Sequence, residues 1–275
     1  MLKKKKQGLS TKSTIYLIFI AITFSSFLFS WKIGLTLLLI GIVALLFMHR
    51  ANIYTILGLS QYSKKNYVKA LKLLKSAHMS GASKMNNSYN YAYILLREGR
   101  LEDARIAINY ALRRPNIEEH ETYQGKEILS MIYYKQGDYG KATEIMQTVF
   151  DHYVNSNVYG ALGYYKILAK AEDAEKFALE AYEYNSTDKV ILDNLVQLYY
   201  EKGEYETAKK YSDEAVALSA KGIETYYHAA LVEKALCNPG EAAENFKKAL
   251  SFTPSFLTTV TTEEIERQLS LLETE

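Results

Sequence analysis

The sequence predicts an all-α protein in two parts: an N-terminal transmembrane helical hairpin of two spans, then an α-solenoid of about six helix pairs closed by a C-terminal capping helix. Two uncharged apolar runs near the start predict the hairpin. A phrase of glycine, aromatic and two alanines seven residues apart, returning about every 34 residues, predicts the solenoid. Leu257, Val260, Ile265, Leu269 and Leu272, at roughly helical spacing, predict the cap.

Residues 14–30 (TIYLIFIAITFSSFLFS) and 33–48 (IGLTLLLIGIVALLFM) carry no charge, and Trp31 and Lys32 stand between them. One helix through both would run about 50 Å at 1.5 Å per residue, against a hydrocarbon core of about 30 Å. Two spans joined by a tight turn, with Trp31 as interfacial anchor, solve the mismatch. A cleaved signal peptide is disfavoured, because no small residues occupy −3 and −1 before a plausible cut and a second apolar run follows at once.

Charge is divided unevenly. Seven of the 33 basic residues (Lys3, Lys4, Lys5, Lys6, Lys12, Lys32 and Arg50) precede Ala51, and none of the 31 acids does. The other 26 basic residues meet all 31 acids, a net −5 that argues against nucleic acid as a partner. Lysines before the first span, together with Arg50, Lys64, Lys65 and Lys69 after the second, place both termini in the cytoplasm. The expected protein is thus a multi-pass cell-membrane protein that meets the bilayer through residues 14–48, with a basic tail over 1–13. Lys3 to Lys6 set the topology or also touch anionic lipid. Cys237 is the single cysteine, so no disulfide forms within the chain. The Lys- and Tyr-rich, Pro-poor composition suits a bacterial membrane protein.

The repeated phrase reads GRLEDARIAINYAL at 99–112, KQGDYGKATEIMQTVF at 135–150, KGEYETAKKYSDEAVAL at 202–218 and NPGEAAENFKKAL at 238–250. Aligned on the first alanine it gives Ala70, Ala104, Ala142, Ala174, Ala208 and Ala242, with steps of 34, 38, 32, 34 and 34 residues. Gly99, Gly137 and Gly203 fall where a left-handed residue would end the first helix of a unit. Leu101, Tyr139 and Tyr205 then begin the second, whose two alanines share one face and let the paired helices approach.

This pattern resembles the tetratricopeptide repeat over about residues 52–254. The first unit carries Tyr54, Leu57, Gly58, Ala70, Leu74 and Ala77; the fifth Leu195, Tyr199, Ala208 and Ala215; the last Tyr226, Ala229, Ala230, Ala242, Phe246, Ala249 and Pro254. The resemblance implies a right-handed array over 51–254, with units starting near 51, 85, 123, 155, 189 and 223, and a capping helix and tail over 255–275. Terminal helices of such arrays cover the last core face or pair with a second copy, so the oligomeric state stays open. The third unit follows four extra residues near Pro115 to Glu118. The fourth is ambiguous by one residue, because Tyr159, Leu162 and Gly163 fit one step later than Ala174 does, and an irregular join is expected there.

In this family the first helices line a concave surface that commonly holds a peptide or partner protein. Its usual groove positions fall here on Tyr62, Asn86, Tyr89, Asn90, Tyr93, Arg97, Glu127, Met131, Tyr134, Lys135, Asp193, Asn194, Gln197, Tyr200, Tyr227, His228 and Lys234. Tyrosines offer area with few rotors, and amides can pair with an extended backbone. Asn86, Tyr89, Asn90, Tyr93 and Arg97 form the densest patch. Of the family's carboxylate-clamp positions only Asn90 matches, so a clamp for a C-terminal carboxylate is disfavoured.

No enzymatic signature competes. His49, His78, His120, His152 and His228 have no paired metal spacing, Cys237 has no CxxC partner, and Glu118 to Glu121 (EEHE) reads as a solvated linker. The P-loop, the dinucleotide fingerprint and the nucleophile elbow are all absent. The expectation is a non-enzymatic, cofactor-free membrane-anchored scaffold that binds protein or peptide partners. The alternative is an accessory subunit of a membrane complex whose hairpin makes the specific contacts through Gly34, Gly41 and Ala44.

Overall fold

The computed structural model describes residues 11–115, 117–218 and 222–274. They form fifteen helices and no strand. The basic run Lys3 to Lys6 lies outside them.

The described residues open with α1 (Thr11–Phe29) and α2 (Trp31–Met48), separated only by Ser30 in extended backbone. Trp31 and Lys32, expected between the helices, begin α2 instead. The two run antiparallel: Phe27 packs where a side chain on Gly34 would sit, Phe19 does the same at Gly41, and the Tyr16 hydroxyl lies 3.5 Å from the Met48 sulfur. Trp31–Met48, with a mean hydropathy of 2.3, is long and apolar enough to cross a membrane; the apolar stretch of α1, Thr14–Phe29, is shorter.

His49 alone separates α2 from α3 (Arg50–Ser63), and the Arg50 guanidinium folds back over the Phe47 ring with its Nη1 donating to the Phe47 carbonyl at 2.6 Å. Six antiparallel pairs follow: α3 with α4 (Tyr67–Met79), α5 (Met85–Arg97) with α6 (Leu101–Leu112), α7 (Glu119–Lys135) with α8 (Tyr139–Phe150), α9 (Ser156–Leu168) with α10 (Ala174–Tyr184), α11 (Lys189–Glu201) with α12 (Tyr205–Ala217), and α13 (Ile223–Ala235) with α14 (Pro239–Leu250). First helices also pack on one another, α5 against α3 and α7, and α11 against α9 and α13, whereas second helices stand apart. The first helices therefore form the inner layer of a curved stack.

Every pair is closed by the same turn. Lys65, Gly99, Gly137, Lys170, Gly203 and Cys237 all have positive φ, between 51° and 81°. In each turn that residue's N–H donates to the carbonyl three residues back, and the next N–H reaches five back, as Gly203 to Tyr200 and Glu204 to Tyr199. This double bond satisfies the last carbonyls of the first helix and aims the chain back along it. Glycine occupies the turn where the sequence predicts it; lysine or cysteine does so in the other three pairs.

The alanine follows this residue by five positions in five pairs and by four in the α9–α10 pair, Lys170 to Ala174. The one-residue ambiguity of the fourth unit is thus a shortened turn. The extra residues of the third unit enter α7, which begins at Glu119 instead of near 123 and has 17 residues where the other first helices of the array have 13 or 14. Glu118 and Glu121 are accordingly a helix start and not a solvated linker: Glu121 accepts from the backbone N–H of Glu118 and of Met85.

The core is a series of layers, each shared between neighbouring pairs. Ala70, Ala104, Ala142, Ala208 and Ala242 are fully buried, and so are the residues seven on, Ala77, Ala111, Val149 and Ala249. Leu74, Ile108, Met146 and Phe246 fill the layers between them. The stack ends on α15 (Thr262–Thr274), whose Ile265 enters the last layer with Tyr226, Tyr227 and Phe246. The capping helix begins at Thr262 and not at 255. Thr261 accepts from the Glu264 N–H at its start, and residues 253–261 run on without helix.

Nothing lies within 4 Å of a methyl group built on Gly203, so its φ of +76° is the whole constraint there. Gly203→Ala is expected to cost about 1 kcal/mol, the usual penalty of a left-handed L-residue. Cys237→Gly changes stability in the opposite direction by less, because glycine's freedom in the unfolded chain offsets part of the gain. Thermal unfolding of the two variants beside the parent checks both signs.

Candidate functional site

The inner layer brings most of the expected groove residues onto one surface. Along α5, Asn86 is exposed, Tyr89, Asn90, Tyr93 and Arg97 are half-buried, and all lie on one helical face. Tyr89 and Tyr93 stack with ring centroids 6.2 Å apart, and the Asn90 amide donates to the Asn86 carbonyl at 2.7 Å. Tyr62 of α3 joins them: its hydroxyl donates to Glu98 at 2.8 Å, and Arg97 lies over its ring at 5.8 Å. Burial, then the Glu98 bond, pushes the Tyr62 phenol up to about 12. The Arg97 Nε is buried with no hydrogen-bond partner.

On α7, Glu127, Met131, Tyr134 and Lys135 continue the surface, all half-buried. Burial pushes the Glu127 carboxyl up to about 7, and Tyr89 beside it is pushed up by burial first and by that carboxylate second. Tyr134 meets Tyr164 edge-on at 5.5 Å and stacks on Tyr165 at 5.5 Å. Tyr164 of α9 belongs to the unit left unmapped by the sequence and is an addition to the site, whereas Tyr165 beside it is buried in the core.

Toward the C-terminus the expected residues serve packing instead. Asn194 is buried, and its amide donates to the Gly160 carbonyl at 2.8 Å, tying α11 to α9. His228 and Asp193 pair at 2.9 Å; burial pulls the imidazole down, but the facing carboxylate outweighs it and leaves the ring above its ordinary value. Tyr227 is covered by the cap, donating to Glu264 at 3.2 Å. Three groove assignments, Asn194, Tyr227 and His228, are therefore structural contacts. Gln197 bonds Glu201 one turn on at 2.8 Å, Tyr200 packs on Tyr205 at 5.6 Å, and Lys234 stays half-exposed.

The groove is crossed by the chain itself. After Pro254 the backbone N–H of Phe256 donates to the Arg97 carbonyl at 3.3 Å, with the Phe256 ring against Gly99. Leu257 packs on the core layer of α5 and α7. The Lys135 ammonium donates to the Thr258 carbonyl at 3.2 Å and lies 5.3 Å over the Phe256 ring. Thr259 donates its N–H to Glu224 of α13 at 3.0 Å and meets the Tyr164 hydroxyl. Burial lowers the Lys135 pKa, partly countered by Glu224 across the groove. Sequence reading places Leu257 and Val260 on a helix. The β-branched run Thr258 to Thr262 is the contrary signal, since such side chains lose rotamer freedom in a helix.

Among the described residues no group of three or more His, Cys, Asp and Glu could hold a metal ion. Cys237 is an exposed free thiol.

Comparison with known proteins agrees with this geometry. The tetratricopeptide repeat family model matches residues 191–221, which run from α11 through α12. A crystal structure of a tetratricopeptide repeat protein from Parabacteroides merdae superposes with a TM-score of 0.66 at 18% identity, covering 94% of this chain and 98% of that one. The helical array has the tetratricopeptide fold. Similar folds include pilF of Pseudomonas aeruginosa, TM-score 0.57 at 17% identity over 81% of this chain and 98% of that one. A chain of the APC/C hetero-tetramer Cut9–Hcn1 gives 0.63 at 15% identity over 82% of this chain and 43% of its own. No curated protein matches the chain. Tetratricopeptide arrays use their concave surfaces to hold protein partners.

An acid at about 7 in the folded chain and at its ordinary 4.5 when unfolded binds more protons folded than unfolded between those values, so stability falls as pH rises through that window. Glu127→Gln is expected to raise the unfolding temperature relative to the parent at pH 8 and to change it little near pH 4.5. Melting curves at the two pH values check this.

Proposed function

We propose that this protein is a non-enzymatic scaffold that α1 and α2 anchor in the cell membrane and that recruits a protein or peptide partner through the concave face of its tetratricopeptide array. The observation that carries the reading is the joined surface of Tyr62, Asn90, Tyr93, Arg97, Met131 and Tyr134 along three successive first helices, fixed by the packing beneath it.

The anchor is supported by the outward face of the hairpin. Leu28, Phe29, Val43 and Phe47 are more than 60% exposed, and Ile18, Phe24, Leu39 and Leu46 more than 50%, a continuous apolar surface. The 18 residues of α2 span about 27 Å, close to the hydrocarbon thickness. Orientation rests on basic residues. The first acid in the whole chain is Glu98, so the first helix pair, nearest the hairpin, carries Arg50, Lys64, Lys65, Lys69, Lys72 and Lys75 with no opposing carboxylate. The array accordingly lies in the cytoplasm. With His49 as the whole linker it stands at the bilayer surface, where a bound partner is concentrated near membrane proteins.

The alternative reading, an accessory subunit whose hairpin makes the specific contacts, is favoured by an apolar groove on α2 between Leu39, Ile40, Val43, Ala44 and Phe47. Gly34 and Gly41, by contrast, are already filled by Phe27 and Phe19 of the same hairpin.

Crosslinking and capture of the full-length membrane protein beside a variant carrying Asn90→Ala, Tyr93→Ala and Arg97→Ala tests the scaffold. A protein held by the parent and lost by the folded variant supports it; identical captures from both overturn it. Exchange of residues 11–48 for an unrelated two-span anchor is expected to preserve recruitment, whereas loss of the captured protein moves the specific contact to the hairpin. Exposed Cys237 is expected to react with an impermeant maleimide only after cells are permeabilised, and labelling of intact cells would overturn the orientation.

A further inference from the structure

The eight residues between Pro254 and Thr261 do something a connector between α14 and α15 does not require. Both helices pack on the same end of the stack, and Ile265 joins the layer of Phe246 and Tyr227. Yet the segment between them touches four first helices: α5 through Arg97, α7 through Lys135, α9 through Tyr164 and α13 through Glu224. It is a short segment built on a tight turn, the Thr258 N–H donating to the Ser255 carbonyl at 2.9 Å and the Ser255 N–H to the Thr258 hydroxyl at 2.9 Å, and it lies along the groove. Its anchor is the pair Phe256 and Leu257, one ring against Gly99 and the Lys135 ammonium, one branched side chain on the core layer of α5 and α7.

The fit is incomplete. Phe256 remains 43% exposed, its N–H reaches the Arg97 carbonyl at 3.3 Å, near the long end of the range, and the buried Nε–H of that same Arg97 finds no acceptor. A segment held in cis needs few contacts, because its tether supplies a high effective concentration. A partner arriving in trans needs more, and the half-filled aromatic site and the orphaned donor are places where it gains them.

We propose that Pro254 to Thr259 is an intramolecular occupant of the concave groove and that the partner is a short turn-forming segment bearing an adjacent aromatic and aliphatic pair, which binds by displacing it. This rests on the scaffold reading above and adds to it the chemistry of the partner and the gate it must open. The partner's aromatic ring takes the place of Phe256 beside Gly99 and Lys135, its aliphatic side chain replaces Leu257, and a carbonyl or carboxylate oxygen reaches Arg97. The empty groove is never the resting state; the chain covers its own apolar surface until a better-fitting segment arrives.

The test uses a fluorescein-labelled peptide of residues 253–261, TPSFLTTVT, and the full-length protein in lipid nanodiscs. Binding followed by anisotropy is expected to be at least tenfold tighter for the Phe256→Ala, Leu257→Ala variant than for the parent, and to vanish when the same two peptide residues are alanine. Equal affinity for parent and variant, or no binding to either, overturns the proposal. Hydrogen exchange on the unmutated protein gives an answer independent of folding of the variant. The Phe256 and Thr259 amides are expected to be protected, and to exchange faster when unlabelled peptide is added in excess. Protection that peptide does not change means a fixed structural strap and also overturns it. In either failure the capture experiment with the Asn90, Tyr93 and Arg97 substitutions still reads out separately, so a wrong occupant and a wrong groove are distinguishable.

Discussion

The left-handed turn that closes each helix pair is the constraint on which the rest of the structure depends. A helix pair can bury its facing stripe only if the chain reverses within a few residues and leaves no carbonyl of the first helix without a donor. One residue with positive φ accomplishes both, six times over. Once the reversal is fixed, the register of the second helix against the first is fixed too, and the residues brought closest must be small. Ala70, Ala104, Ala142, Ala208 and Ala242, all without solvent exposure, are the consequence. The α9–α10 pair shows how tightly turn and register are linked: its turn loses one residue, and the family pattern on the two sides slips by one with it.

Because each layer is shared only with its neighbours, the stack tolerates local change without global failure. The four extra residues of the third unit become one more turn of α7, and its new N-terminus reaches back to the Met85 N–H of the previous unit through Glu121. The same openness leaves an inner surface that no repeat covers by itself. Tyrosines suit that surface because the ring packs against neighbouring helices while the hydroxyl finds a carboxylate at the rim, as Tyr62 does with Glu98 and Tyr227 with Glu264. Such a surface leaves apolar area in water, and the Pro254 to Thr259 segment covers part of it by lying against α5, α7 and α9.

Legibility in the sequence divided along physical lines. Helix pairs, their turns at Gly99, Gly137 and Gly203 and the buried alanines were readable because they depend on residues close in the chain, where a 3.6-residue period and a φ preference act directly. Lys65, Lys170 and Cys237 were not readable as turn residues, since nothing local in their identity favours positive φ and the helix packing on either side imposes it. The inner face of α5 was legible for the same reason as the alanines. For Asn194, His228 and Tyr227, position in a repeat says which face a residue occupies but not which neighbour engages it: α9 holds Asn194, Asp193 of α11 holds His228 and the cap holds Tyr227.

What the sequence by itself determined is the periodic part: an apolar hairpin, a stack of antiparallel helix pairs and an amphipathic helix over the last layer. These follow from hydrophobic spacing, from glycine and alanine at fixed offsets, and from acids withheld until Glu98. Only the tertiary structure decided what the groove contains. The contact of Phe256 with Gly99 and of Thr258 with Lys135 joins positions more than a hundred residues apart. No local propensity encodes such a contact; the packing of the whole stack brings the second pair and the last within reach of one short turn.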